Sequence, residues 1–387
     1  MEYGRIARAM LSGFGFAYPW TMADGTTSIL PTAYTPPGQV YLQYFTLLLF
    51  GSGHTGLIAL YLFQIVEAVA FIFVLGRIET ALFTNERVTK VTLWSAALYP
   101  PFIYATMTFG VTSSALLLNA LFVLLGIRLS SALQSESERA RYALSFGIVC
   151  GLLLLFRGES PVLIALTLVL IIYQNRARVW TSVRFAALAA IVAVTLLAPW
   201  TIRNYQIFHR FIPISTNGGF NFWRGNNAFS TVYTPIWATE DGVAKIEQTA
   251  KTGMDYELAA SAVSTDQAWE WIKSNPSVAL IRSAEKAAAL WTISVRPNTL
   301  ANVGYASFHV ATLLLLIYGV LQLRAGKDTP RNHETRTGVR LIGLYCLLAT
   351  LLAMVFFTLP RYQVLLSAVY FPLSTFGLSH LLPKQTR

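Results

Sequence analysis

Charge is what this sequence most lacks. Only 12% of its 387 residues are Asp, Glu, Lys or Arg, about half the share of an ordinary soluble domain. Hydrophobic residues make up 55% and the mean hydropathy is +0.52, so there is too little polar surface to cover a water-soluble globule of this length. Cysteine is also scarce. Cys150 and Cys346 both fall inside apolar runs, which excludes a disulfide framework, and no Cys–His spacing suggests zinc. There is no phosphate-binding glycine loop and no strand–helix alternation to hold one, so a nucleotide donor handled by a soluble domain is not expected. No Ser-His-Asp arrangement is evident, and the opening Met-Glu-Tyr-Gly-Arg lacks the apolar core of a signal peptide. Acids are outnumbered, 18 against 29 basic residues, for a net charge of +11. In a soluble protein that excess raises nucleic acid as a partner. Here the basic residues sit in short loops between apolar runs, which points to membrane topology and to no nucleic acid.

What is present is a series of apolar runs. A span needs about 20 apolar residues, fewer where it is shielded. Such runs fall near Leu57–Leu75, Val91–Phe109, Ser113–Ile127, Ala143–Phe156, Pro161–Tyr173, Phe185–Trp200, Tyr305–Leu323, Leu341–Leu359 and Gln363–Leu381. The pair around Arg157-Gly158-Glu159-Ser160 reads either as a hairpin of two short helices or as one long broken helix. The positive-inside rule decides for the hairpin. It then collects sixteen of the 29 basic residues in cytoplasmic loops and tail, among them Arg77, Arg128, Arg178, Lys327, Arg331, Arg340, Lys384 and Arg387. The expected fold is an all-α polytopic membrane protein of about nine transmembrane helices with one large extracytoplasmic loop. Residues 1–56 form a first extracytoplasmic loop, 57–200 span the membrane, 201–304 form the large loop, and 305–387 return to it and end in a short cytoplasmic tail. The setting is an inner or plasma membrane, with the large loop periplasmic or extracellular. A first segment outside with no upstream span predicts one more helix before Met1, with its N-terminus cytoplasmic.

Within the large loop, Tyr256–Lys273 has apolar residues at helical spacing. Ser277–Ile293 follows Asn275-Pro276, a helix start, and its apolar face suits the membrane surface, where Lys286 would snorkel. Val40–Phe50 is apolar but too short to span and reads as interfacial. Two loop segments draw chemistry. Glu2-Tyr3-Gly4-Arg5-Ile6-Ala7-Arg8 reads as a short amphipathic helix, followed by the rigid turn of Tyr34 and Pro36-Pro37-Gly38. The second runs from Pro199-Trp200-Thr201-Ile202-Arg203-Asn204 into Asn217, Asn221, Trp223, Arg224 and Asn226. Amides and aromatics suit sugars, and the planar fork of arginine suits phosphate; a glycine-rich turn with interfacial tryptophans explains the same residues. Arg157 and Glu159 either pair with each other or mark a site. Arg361 either binds or anchors its helix, Glu67 either joins a site or bonds a neighbouring helix, and His309 reads as a helix cap.

With these residues in view, the chain resembles a GT-C superfamily glycosyltransferase. It is most similar to the family 39-type and rhizobial lipopolysaccharide-transferase-like group, relatives of the protein O-mannosyltransferases. The resemblance spans nearly the whole chain and rests on Glu2-Tyr3, Pro31–Gly38, Leu154–Pro161, Pro199–Asn204, Thr216–Asn227, Asn275-Pro276 with Lys286 and Trp291, and Arg361-Tyr362. It implies inverting transfer of a sugar from a polyprenyl-phosphate donor to a glycan, lipid or protein acceptor, outside the membrane. Glu2 would be the general base. Arg157, Arg203 and Arg361 would hold the donor phosphate. Tyr3, Tyr34, Asn217, Asn221, Trp223, Asn226, Lys286 and Tyr362 would shape the substrate pocket. Two departures stand out: no first helix precedes Glu2, and Thr108–Thr112 lacks the acid often present in the second outer loop. No cofactor is called for, and a divalent cation is the one candidate the resemblance leaves open. A transport-type or inactive relative and an O-antigen-type polymerase or ligase are the competing readings.

Overall fold

The structure is a computed structural model. It describes residues 2–22, 24–130, 135–231, 240–294, 299–326 and 333–383. The tail basics Lys384 and Arg387, and Lys327 and Arg331, lie outside the described residues.

The chain begins with α1 (Glu2–Leu11), a short antiparallel hairpin of β1 (Ala17–Thr21) and β2 (Thr27–Pro31), and α2 (Gly38–Phe50). Strand register runs from Ala17 opposite Pro31 to Thr21 opposite Thr27. The long helices follow: α3 (His54–Phe83), α4 (Glu86–Leu98), α5 (Pro100–Met107), α6 (Thr112–Ser130), α7 (Glu136–Phe156), α8 (Ser160–Gln174) and α9 (Val179–Phe208). The large loop contributes α10 (Gly218–Gly225), α11 (Glu240–Thr249), α12 (Tyr256–Ser274) and α13 (Pro276–Trp291), and the chain ends with α14 (Leu300–Arg324), α15 (His333–Val355) and α16 (Pro360–Leu381).

Among the described residues, seven helices are long and apolar enough to cross a membrane: α3, α6, α7, α9, α14, α15 and α16. The expected nine spans are recovered only if two irregular crossings are added. One is α8, an apolar helix of 15 residues. The other is the α4–α5 pair. The expected single helix Val91–Phe109 breaks at Tyr99, whose extended backbone (φ −76°, ψ 109°) is what a residue before proline prefers. The Arg157 segment is a hairpin: α7 ends at Phe156 and α8 starts at Ser160, and α7 runs parallel to α9, with Gly147 against Ala189 and Gly151 against Ala193, so α8 reverses direction between them. The expected helix end at Trp200 is overrun. Helix α9 continues to Phe208, with Pro199 inside it, so the Trp200–Asn204 motif lies on a helix and not beyond one.

The bundle packs around α16, which is apolar and buried along nearly its whole length, as a helix hydrophobic all round must be. Small residues let α14 approach it closely: a Cβ on Gly319 would sit 2.0 Å from the carbonyl oxygen of Leu373. Helix α3, by contrast, leaves Ile58, Leu62, Val66 and Phe73 exposed, a surface for lipid. A second, smaller core joins Ile6 and Ala7 of α1 to Phe16, Ala33 and Val40 and to Trp200 and Phe208 of α9. The first loop is thereby seated on the end of the bundle that carries α10–α13, here termed the loop end.

Candidate active site

A cavity of about 560 Å³ opens at the loop end. Four segments remote in sequence build it. The α7–α8 turn brings Arg157 and Glu159, the first turn of α16 brings Arg361 and Tyr362, α1 brings Tyr3, and the segment before and within α10 brings Asn217 and Asn221. Its other wall is apolar, with Val162 and Leu163 of α8 and Leu348 and Leu352 of α15. The space is therefore cationic and amide-rich on one side and greasy on the other.

The electrostatics are specific. Arg157 forms an ion pair with Glu159, and its guanidinium lies 5.6 Å from the centre of the Tyr362 ring. Burial pulls the Arg157 pKa down, but Glu159 and the nearby tyrosines outweigh it and the net direction is up. Arg361 lies 5.2 Å from the same Tyr362 ring centre and donates to the Tyr362 hydroxyl at 3.4 Å. Burial pushes the Tyr3 hydroxyl up to about 12, against the pull of Arg361 and Arg157. Glu2, the first residue of α1, does not line the cavity but lies close enough for its charge to act on Tyr3, Tyr34, Arg224 and Arg361. Tyr34 is raised by burial first and then by Glu2. Arg224, beside them, is buried and stacks 4.6 Å from the Phe357 ring; burial lowers its pKa.

Other expected site residues are drawn into structural work. Arg203 donates to the carbonyl oxygens of Thr32 (2.7 Å) and Phe16 (2.9 Å) and to Asn204 Oδ1 (2.9 Å). It also stacks on Trp200 at 4.9 Å. It ties the first loop to α9 and is not part of the cavity wall. Lys286 does not snorkel. It is buried, and Nζ donates to Phe356 O (2.9 Å), Asn226 Oδ1 (3.3 Å) and Gly225 O (3.4 Å). Carbonyls left over past the end of α15 attract a cation more strongly than the interface does. Asn226 completes that knot by donating to Val355 O at 2.8 Å. Trp223 is buried beside it. Glu67 accepts from Ser114 Oγ at 2.6 Å, the helix-to-helix alternative. His309 is buried within α14, its ring parallel to that of Tyr305.

Glu257 in α12 escapes sequence reading. Its carboxylate accepts from the Thr32 and Thr216 hydroxyls and, at 2.9 Å, from the Ala33 amide. It joins the first loop to the segment before α10. Burial raises its pKa against those three donors. Its sequence signal was slight: one acid in the first turn of an amphipathic helix. Among the described residues no three His, Cys, Asp or Glu side chains converge.

No family model matches the chain, and no curated protein does. Solved structures do. ArnT from Cupriavidus metallidurans in the apo state matches at 18% identity over 98% of this chain and 71% of that one, with a TM-score of 0.41. ArnT bound to undecaprenyl phosphate matches at 17% over 96% and 72%, also at 0.41. The Archaeoglobus fulgidus oligosaccharyltransferase, in complex with Zn and sulfate, matches at 14% over 98% of this chain and 44% of that one, with a TM-score of 0.54. At such identity the likeness to the oligosaccharyltransferase is one of fold. The chain is an all-α polytopic membrane protein with a GT-C-like fold.

Proposed function

We propose that this protein is a membrane glycosyltransferase of the family 39-like group, moving a sugar from a polyprenyl-phosphate donor to a hydroxyl acceptor outside the membrane. The observation that carries the reading is the two-sided cavity. Arg157 and Arg361 meet at a greasy wall, which suits a phosphate attached to a lipid. The GT-C-like fold supports the same reaction class. Glu2 takes the proton from the acceptor hydroxyl as its oxygen attacks the anomeric carbon. The bond from that carbon to the phosphate oxygen breaks with inversion, and the electron pair leaves on the lipid phosphate. The two guanidiniums stabilise the charge that develops there. Asn217 and Asn221 bond sugar hydroxyls, with Tyr3 and Tyr362 at the phosphate and Tyr34 beside Glu2. The acceptor is a glycan, lipid or protein.

The test is transfer from a polyprenyl-phosphate sugar by the purified chain. Arg361→Ala and Arg157→Ala are each expected to lose about 2–4 kcal/mol of transition-state stabilisation while the protein stays folded. Glu2→Gln is expected to slow turnover by about 100-fold or more. Arg203→Ala should instead lower the unfolding midpoint, because two of its three acceptors, the carbonyls of Thr32 and Phe16, belong to the first loop that it ties to α9. Near-normal turnover in both cavity arginine variants would overturn the reading.

A further inference from the structure

Arg361 can stabilise a leaving phosphate only if the first turn of α16 is fixed in height and rotation. No side chain caps that turn, and Pro360 opens it without a backbone N–H. Gln363, two residues on, is fully buried and does not line the cavity. Its Nε2 donates to the carbonyl oxygens of Ala289 (2.7 Å), Leu290 (3.2 Å) and Thr292 (3.3 Å). Its Oε1 accepts from the Ser294 hydroxyl and, at 3.1 Å, from the Tyr305 hydroxyl, which shares its proton with Pro360 O at 2.9 Å. Ala289 and Leu290 lie in the last turn of α13, where carbonyls have no partner within the helix. A primary amide meets that need with its two N–H bonds and keeps its oxygen free to accept. The other half of α13 is tied to the far side of the site. Just past the end of α10, Arg282 donates to Asn227 O at 2.5 Å and Lys286 to Asn226 Oδ1 at 3.3 Å. From Arg282 to Ala289 is about 10 Å along the helix. Over that length α13 is fastened to the neighbour of Asn217 and Asn221 at one end and to the neighbour of Arg361 at the other.

We propose that Gln363 is the positioning residue for Arg361, and that α13 is the beam that sets this arginine at a fixed span from the amides of α10. The proposal rests on the donor reading above and deepens it. Gln363 touches neither donor nor acceptor and acts only through Arg361. An apolar side chain in its place leaves the last carbonyls of α13 facing a group that cannot bond them. The first turn of α16 then loses its fixed seat, and a displacement of about 1 Å at the guanidinium is enough to slow turnover by about 10- to 100-fold. Arg157 and the apolar wall still hold the donor in the ground state, so the loss falls on kcat more than on KM.

The experiment is a pair of double-mutant cycles in the full chain in lipid nanodiscs, read as transfer from a polyprenyl-phosphate sugar. Gln363→Met keeps the length of the side chain and removes the amide. It is expected to lower kcat by about 10- to 100-fold and to change KM by less than about threefold. In an Arg361→Ala background the same substitution should cost less than about threefold, because the group it positions is gone. In an Arg157→Ala background it should cost its full factor. Tyr305→Phe removes one hydroxyl from the other side of the amide and runs the same cycles if Gln363→Met fails to fold, with an expected loss of about 3- to 10-fold. A full-sized loss in the Arg361→Ala background, or an unchanged kcat in both Gln363→Met and Tyr305→Phe, would overturn the proposal and leave the donor reading standing. Normal turnover in both Arg361→Ala and Arg157→Ala would remove the donor reading and the proposal together.

Discussion

Lys286 and Glu257 are buried charges that hold loops and not substrates. For Lys286, burial first and then the charge of Arg282 lower the pKa from its ordinary 10.5 to about 8. The unfolded chain then binds more protons than the folded one between those values, so stability rises with pH across that window. Below about pH 8 both states are protonated and the cost of burying the ammonium is constant. We expect the unfolding midpoint of the wild type, relative to Lys286→Met, to increase from pH 8 to pH 10.5. The variant itself should be less stable at neutral pH, by about 1–3 kcal/mol for each acceptor it leaves unpaired. A difference that stays flat across the window would show that this lysine is not buried as described. Glu257→Ala is expected to destabilise the loop end by a similar amount, about 1–3 kcal/mol, by orphaning the Ala33 amide. Protease sensitivity of the segment around Thr32 and Thr216 reads it out. Neither role was legible in the sequence. Position told which charges sit at helix ends, but not which carbonyls stand ready to claim them. Arg157, Arg203 and Arg361 were all expected to hold a donor phosphate; Arg157 and Arg361 line the cavity, whereas Arg203, which looked the same on paper, is spent on Thr32 and Phe16.

At the scale of elements, the apolar runs of α6, α7, α14 and α16 were plain, because continuous hydrophobicity over a span has few other meanings. Two features were missed for opposite reasons. The break at Tyr99-Pro100 lies inside a run whose hydropathy never falters, so the prolines alone announced it. The β1–β2 hairpin had a usable signal in Asp24-Gly25 between strand-like segments. Gly25 takes φ +80°, and Asp24 Oδ1 accepts from the Thr26 amide at 2.8 Å. A testable consequence attaches to Gly38, which starts α2. A Cβ there would lie 2.3 Å from the Phe156 ring and 2.9 Å from Leu155 O. Gly38→Ala should therefore cost about 1–3 kcal/mol of stability through overpacking and lower transfer as well, because it pushes the first loop off the α7 end that precedes Arg157. Unchanged turnover and melting would show that this contact does not set the site.

For the whole molecule, the convergence of Tyr3, Arg157, Asn217, Asn221, Arg361 and Tyr362 on one cavity follows from all their segments lying at one end of the bundle. Single cysteines at Thr265, in α12, and at Arg178, at the far end of the bundle, should label from opposite sides of a sealed membrane, with Thr265 outside. Labelling from the same side would undo the hairpin at Arg157 and the placement of the reaction outside.

The burial of α16 bears on how the protein responds to its membrane. A thicker or thinner bilayer presses on lipid-facing helices, which tilt to fit it. Those are α3, α9 and α14, with broad exposed faces. Arg361 and Tyr362 ride instead on a helix that lipid scarcely touches. Arg361, proposed to face the donor phosphate, is thus carried on an inner strut, insulated from the springiness of the outer staves. Acyl-chain length should shift the melting temperature of the reconstituted protein well before it shifts the rate of the chemical step.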